Sequence, residues 1–259
     1  SPTGATFKAD AFLSRSLFDL YSNFTFFLSD EVNGDEIQQH DSRLQQGANV
    51  QFLRPYKLFK HLALITVGAN YHDNQINVGL YSRVNRTPLD TVTAANSRVT
   101  NGAGYIQQTS TFLTGRLTVG AGLRYDWFRF NVQDRVTPAL SNIENSTRFQ
   151  PKFSVAYAPP VRGLAAVALT LHFNYGRGIS SIDARSITQS PNSIKLATTD
   201  FSQAGFSMRV RRVGISADAF LIDRSNELVF VADDGTLELV GPSRAYGAEV
   251  KTSIAITSK

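Results

Sequence analysis

Apolar and polar side chains alternate along most of this chain with a period of two, the pattern of strands that have one dry face and one wet face. The clearest stretch runs from Arg116 to Trp127. Leu117, Val119, Ala121, Leu123, Tyr125 and Trp127 fall on one face, and Arg116, Thr118, Gly120, Gly122, Arg124 and Asp126 on the other. Similar alternation starts at Arg148, Val167, Phe206 and Tyr246, and earlier segments near 17–29, 43–54 and 62–72 follow it. The segment near 103–114 is ambiguous, and 213–223 is mostly apolar with Ser216 and Asp218 on one face. The pattern predicts about ten strands, many of ten residues or more. Strands of globular proteins usually have about five or six residues, whereas a tilted membrane-crossing strand needs about nine to eleven.

The connections add a rhythm. Long polar links are expected near 30–42, 73–102, 133–147, 178–199 and 224–243. Short ones fall between them, at Pro55 to Lys60, Gly115-Arg116, Pro159 to Gly163 and Arg211-Arg212. Outer-membrane barrels put short turns on the periplasmic side and long loops outside. The chain is therefore read as an all-β protein, an antiparallel transmembrane β-barrel segment without an internal domain boundary across 1–259. Tyr71, Tyr105, Trp127, Tyr175 and Tyr246 would form an aromatic girdle at the loop end, with Phe52, Tyr56 and Tyr157 at the turn end. The competing reading is that these rings cap the core of a soluble sandwich.

Composition sharpens the choice. Charged residues are 18% of the 259 positions, below the roughly 25% usual for soluble domains. There is no Cys, which excludes disulfides and thiolate metal sites. The net charge of +5 comes from bases scattered along the chain, never in a run, so nucleic-acid binding is not expected. No stretch of about 18 apolar residues is present, so no transmembrane helix is expected. A secretory signal is absent and the chain begins at Ser1, so an exported protein would carry its signal upstream.

Four segments resemble strands of TonB-dependent outer-membrane receptors. Gln38 to Gly47, Gln-Gln-His-Asp-Ser-Arg-Leu-Gln-Gln-Gly, is similar to their Asp-x-Arg-x-x-x-Gly strand start. Phe149 to Tyr157 resembles their strand with Pro followed by alternating aromatics, Phe173 to Gly178 their Tyr-Gly-x-Gly strand end, and Tyr246 to Val250 their Gly-x-Glu strand. The resemblance implies a larger barrel of roughly 22 strands around a plug. About ten are visible here, the plug has no counterpart, and the last residue, Lys259, is not the aromatic that usually ends such barrels. The chain is thus expected to be an internal piece of a receptor in the outer membrane. The implied function is energy-dependent uptake of a scarce solute: a metal chelate, a cobalamin-like molecule or an oligosaccharide. The implied partners are outer-membrane lipid, the plug domain and remaining strands, an inner-membrane energy-coupling protein and a small polar ligand.

Polar candidates for the lumen wall are Arg43, Arg116, Arg124, Lys152, His172, Arg209, Arg211, Glu249 and Lys251, either as plug and solute contacts or as a solvated wall. His40, His61, His72 and His172 show no ligand spacing, so no metal or cofactor is expected. Asp233-Asp234-Gly235 reads as a hairpin turn rather than a calcium loop. Gly120-Ala121-Gly122 and Gly176-Arg177-Gly178 precede no helix and read as small residues in a crowded lumen, not phosphate loops. No catalytic residue is identified. Two other functions compete: a complete ten-stranded outer-membrane enzyme (with His72, Asp73 and Asp126 above the rim) or small porin, and a soluble all-β binding module.

Overall fold

The structure is a computed structural model and describes residues 4–161, 167–181, 196–231 and 236–256. One antiparallel sheet of ten strands dominates it. In chain order these are β1 (Thr6–Ser22), β2 (Ile37–Leu58), β3 (His61–Val84), β4 (Thr87–Phe112), β5 (Leu117–Asp134), β6 (Asn142–Tyr157), β7 (Val167–Ser181), β8 (Leu196–Val210), β9 (Val213–Arg224) and β12 (Ser243–Ile254). Each pairs with its neighbour in sequence order, β12 follows β9, and the sheet stays open, with β1 and β12 at its edges. Two short strands, β10 (Glu227–Val231) and β11 (Thr236–Val240), pair with each other between β9 and β12. This all-β, open and antiparallel sheet agrees with the class read from the alternation.

The strands are longer than the alternation suggested, and the difference lies at the loop end. The stretch 73–102, expected to be a loop, is instead the upper half of a hairpin. β3 runs on to Val84 and β4 starts at Thr87. Asn85 and Arg86 turn it with φ of 48° and 63°, the left-handed pair that matches strand twist in a two-residue hairpin. Phe59 and Lys60 make the same turn at the opposite end, with φ of 47° and 68°. The first strand lies earlier than the expected 17–29, so the first loop is 23–36 and not 30–42. The loop after β5 shortens to 135–141, and the 224–243 link contains the β10–β11 pair. Most of the expected 178–199 loop, part of the Pro159 to Gly163 link and the Asp233–Gly235 turn lie outside the described residues.

Register assigns every strand residue to a face. In β5 the apolar residues Leu117 to Trp127 occupy odd positions, but Phe128, Phe130 and Val132 occupy even ones. In β3 the switch is the same: Ile65, Val67, Ala69 and Tyr71 are odd, and Ile76, Val78 and Leu80 are even. Both strands change phase at one register row, where Tyr71 and Trp127 flank Gly102. Below that row the apolar side chains stay exposed on one face, such as Val67, Ile106 and Leu123 at 43–49%. Above it the apolar side chains of β3 to β5 turn to the other face and bury, whereas Leu13 and Leu17 of the edge strand β1 and Ile143 of β6 stay exposed on the first face. Ile76, Val78, Ala95, Val99, Phe130, Val132 and Leu196 form a cluster there, with Phe128 packed against it. Phe130 is fully enclosed and stacks on Phe128 at 5.9 Å between ring centroids. Among the described residues the lower half has no apolar core cluster, while the upper half has one of ordinary soluble type.

Candidate functional site: a hydrogen-bonded polar face

Opposite the exposed apolar face, the lower half of the sheet presents polar side chains that bond across strands. The longest network spans β1 to β6. Asn49 donates to Asp10 at 2.7 Å, Asn70 donates to Asn49 at 2.7 Å, and Arg124 donates to Asn70. Arg124 also grips Asp126 through two nitrogens at 2.7 and 2.9 Å. Gln150 donates to the same carboxylate at 2.5 Å and Asn101 at 3.1 Å. Asp126 is only 2% exposed. A buried carboxylate is tolerable when a guanidinium and further donors satisfy its lone pairs, as here.

A second network joins β7, β8 and β9. The His172 ring nitrogen Nε2 lies 2.6 Å from Asp218, and Gln203 donates to the same oxygen at 2.8 Å. Asp218 faces Glu249 directly across the β9–β12 pair. His172, Gly205 and Asp218 form one register row. The central glycine has no side chain, so its neighbours touch over it; a Cβ at Gly205 would collide with the Asp218 carboxylate and the Ala217 carbonyl. The same device recurs at Gly68, over which the Tyr105 ring lies so that its hydroxyl accepts a bond from Gln51 at 3.2 Å. It recurs again at Gly47, over which Phe12 meets the His72 ring edge-on at 5.3 Å. At Gly47, Gly68 and Gly205 the missing side chain lets groups of the flanking strands meet over the glycine.

The expected site residues divide as follows. Arg124, Lys152, His172, Arg209, Glu249 and Lys251 share this polar face by register, and Arg43 lies on the same side but above the aromatic row, level with Ile76. Arg116 and Arg211 do not: each sits in a turn, Arg116 after Gly115 and Arg211 with φ of 51°. The alternation extended both strands by one residue too many, because a tight turn continues the polar pattern. Arg43 is held by Asp41 through Nε at 2.7 Å. Among the girdle residues, Tyr71, Trp127, Tyr157, Tyr175 and Tyr246 lie on the exposed apolar face, with Tyr175 and Tyr246 on one row through Ser202 and Leu221. Tyr105 is the correction, since it pairs with Arg124 on the polar face. His72, Asp73 and Asp126 are not brought together either, because Asp73 lies on the opposite face from the other two.

The sequence reading missed the acceptors and amides: Asp10, Asn49, Asn70, Gln150, Gln203 and Asp218. Their signal was parity: Asn49, Gln150 and Gln203 share the polar phase of Arg43, Lys152 and Arg209 on their own strands, and Asp218 stood out as a polar position in a mostly apolar segment. Among the described residues, no group of three or more His, Cys, Asp or Glu side chains is placed to hold a metal ion.

The 23–36 loop is tied by its own carboxylates. Asp30 accepts the backbone N–H groups of Val32 and Asn33 at 2.9 and 2.8 Å. Asp35 accepts those of Ser29 and Asp30 at 3.0 and 2.8 Å. Backbone donation, from Asn33 to Asp30 and from Ser29 to Asp35, holds both carboxyls below the usual range. The knot displays Phe24, Phe26, Phe27, Leu28 and Val32, all more than half exposed.

A family model described as "TonB dependent receptor-like, beta-barrel" matches residues 3–256. No curated protein matches the sequence significantly. Solved structures do match in fold. The ferric citrate transporter FecA superposes with a TM-score of 0.73 at 14% identity, over 96% of this chain and 36% of that one. BauA, the ferric preacinetobactin receptor from Acinetobacter baumannii, gives 0.70 at 13%, over 98% and 40%. The copper transporter OprC gives 0.74 at 12%, over 97% and 40%. The chain thus spans well under half the length of the structures it matches.

Proposed function

This chain belongs to the TonB-dependent receptor family, as part of its outer-membrane β-barrel, and from that premise we propose that it forms wall and outer loops of a receptor for energy-dependent uptake of a scarce solute. The family is one of receptors and transporters, not enzymes. The observation that carries the proposal is the change of face at the Tyr71–Trp127 row. From Leu117 to Trp127 the β5 strand climbs about 33 Å, or about 25 Å along the normal at a tilt of roughly 40°, which equals the height of a barrel's apolar band. Below the row, the exposed Val67, Ile106 and Leu123 meet lipid, and the Asp126 and Asp218 networks line the interior. Above it, the apolar groups of β3 to β5 turn inward and bury, as contact with water requires.

An open ten-stranded sheet leaves unpaired backbone along β1 and β12, which is costly in hydrocarbon. Further barrel strands therefore complete it, and a plug fills the lumen against the polar face. The plug's N-terminal side takes up energy from the inner-membrane coupling protein. Ligand capture falls to the plug and to the outer ends of the hairpins, including the stiff 23–36 loop. A chelated metal is the favoured cargo among the candidates, because the matched structures include transporters and receptors of ferric chelates and of copper. Cobalamin-like molecules and oligosaccharides remain the other candidates.

Uptake assays test this. Cells that carry the receptor should accumulate isotope-labelled iron from citrate and other chelates, or labelled copper, only while the inner-membrane coupling protein is present. Equal accumulation after loss of that protein would refute energy-coupled transport and favour a passive pore.

A further inference from the structure

Directly above the aromatic row, the same face of β3 to β5 becomes polar and basic, with Leu13, Leu17 and Leu44 beside it on β1 and β2, in a region the transport reading leaves without a role. Arg129 stands two residues beyond Trp127 on β5. Arg15 and Arg98 occupy the row beyond, joined through Leu44 and Gln75. Both arginines line an open groove of about 470 Å³, shared with Gln75, Asn77, Asn96 and Asn131. Asn77 donates to Asn96 at 2.7 Å, which fixes the direction of both amides.

Charge here is unbalanced by design of the rows. The carboxylate nearest to them on this face, Asp73, is fully buried and already engaged by Arg98 Nε at 2.8 Å, Thr100 at 2.8 Å and Gln46 at 3.1 Å. It orients Arg98, whose side chain stays 54% exposed. Among the described residues no carboxylate pairs with Arg15 or Arg129. At about 3.3 Å per residue and a tilt of roughly 40°, Arg129 and Arg98 sit about 5 and 10 Å above the ring level. Aromatic rings mark the headgroup boundary, so this is the depth of lipid headgroups rather than open water.

We propose that this groove binds the headgroup of an outer-leaflet glycolipid, a saccharide that carries two anionic groups. Guanidinium groups match phosphate or carboxylate geometry, and the flanking amides suit sugar hydroxyls. Arg15 and Arg98 stand three strand spacings apart, about 14 Å between backbones. Two anions on one sugar scaffold can engage one arginine each across that span. The inference rests on the membrane orientation given under the proposed function.

Native mass spectrometry and vesicle flotation of the intact receptor, reconstituted in phosphatidylcholine with or without diphosphorylated lipid A, test it. The wild type should retain lipid A. Arg15→Gln with Arg98→Gln should weaken retention about twenty-five-fold, the product of roughly fivefold for each arginine at an anionic surface. Arg212→Gln, in the opposite turn, should leave retention unchanged. Equal retention by the double variant and wild type would overturn the site. Competition by inorganic pyrophosphate as effective as that by lipid A would assign the groove to free anions and overturn the lipid. Failure to float with vesicles of either composition would overturn the membrane orientation itself.

Discussion

Asp126 shows how one side chain organises the polar face. It is buried, it carries charge, and it is bonded by Arg124, Gln150 and Asn101 from three different strands. Removing its cation leaves an enclosed carboxylate without compensation, a change that typically costs about 3–5 kcal/mol. Arg124→Leu should therefore destabilise the reconstituted receptor by about 3 kcal/mol in urea unfolding. Adding Asp126→Asn should recover part of the loss, because the uncompensated charge is gone. Equal unfolding midpoints for wild type and Arg124→Leu would show that the network is ornamental. Arg124 and Asp126 were both visible as polar positions of one strand, but their partners were not. Asn70 and Gln150 lie 54 and 26 residues from Arg124 in sequence, and only register brings them together. Tyr105 failed for a related reason. A tyrosine near a loop end fits a girdle on hydropathy alone, whereas the empty space over Gly68 draws it to the other face.

The β3–β4 hairpin carries the lesson of the elements. Alternation located β3 below Tyr71, left 103–114 of β4 ambiguous, and lost both strands above that row, where the apolar phase of β3 shifts by one residue. A phase break read as the end of a strand is in fact a change of solvent. Strand residues below the row answer to lipid, and those above it answer to water. The upper half should then behave like a small soluble domain with its own core. Phe130→Ala removes its most enclosed large side chain and should cost about 3–5 kcal/mol. Because the lower half does not share that core, limited proteolysis should cut the 73–101 segment in the variant while the membrane-embedded part stays protected. Simultaneous loss of both halves would show that they fold as one unit.

At the scale of the whole chain, the fold class was legible because strand length and loop rhythm are global properties that survive local errors. The family followed from four short segments in the right order, and the match over residues 3–256 agrees. The cargo was not legible, for it depends on loop surfaces and on a plug, and neither leaves a mark in the alternation of the strands. The division of faces can be tested directly, since the chain has no native cysteine. Single cysteines at each position of β5 from Leu117 to Gln133, spin-labelled in the reconstituted receptor, would report collisions with oxygen in lipid and with a nickel chelate in water. Labels at 119, 121, 123 and 125 should favour oxygen, those at 118, 120, 122 and 124 should not, and 129, 131 and 133 should favour the chelate. Odd positions below Trp127 that meet the chelate as readily as those above it would contradict the membrane-facing assignment.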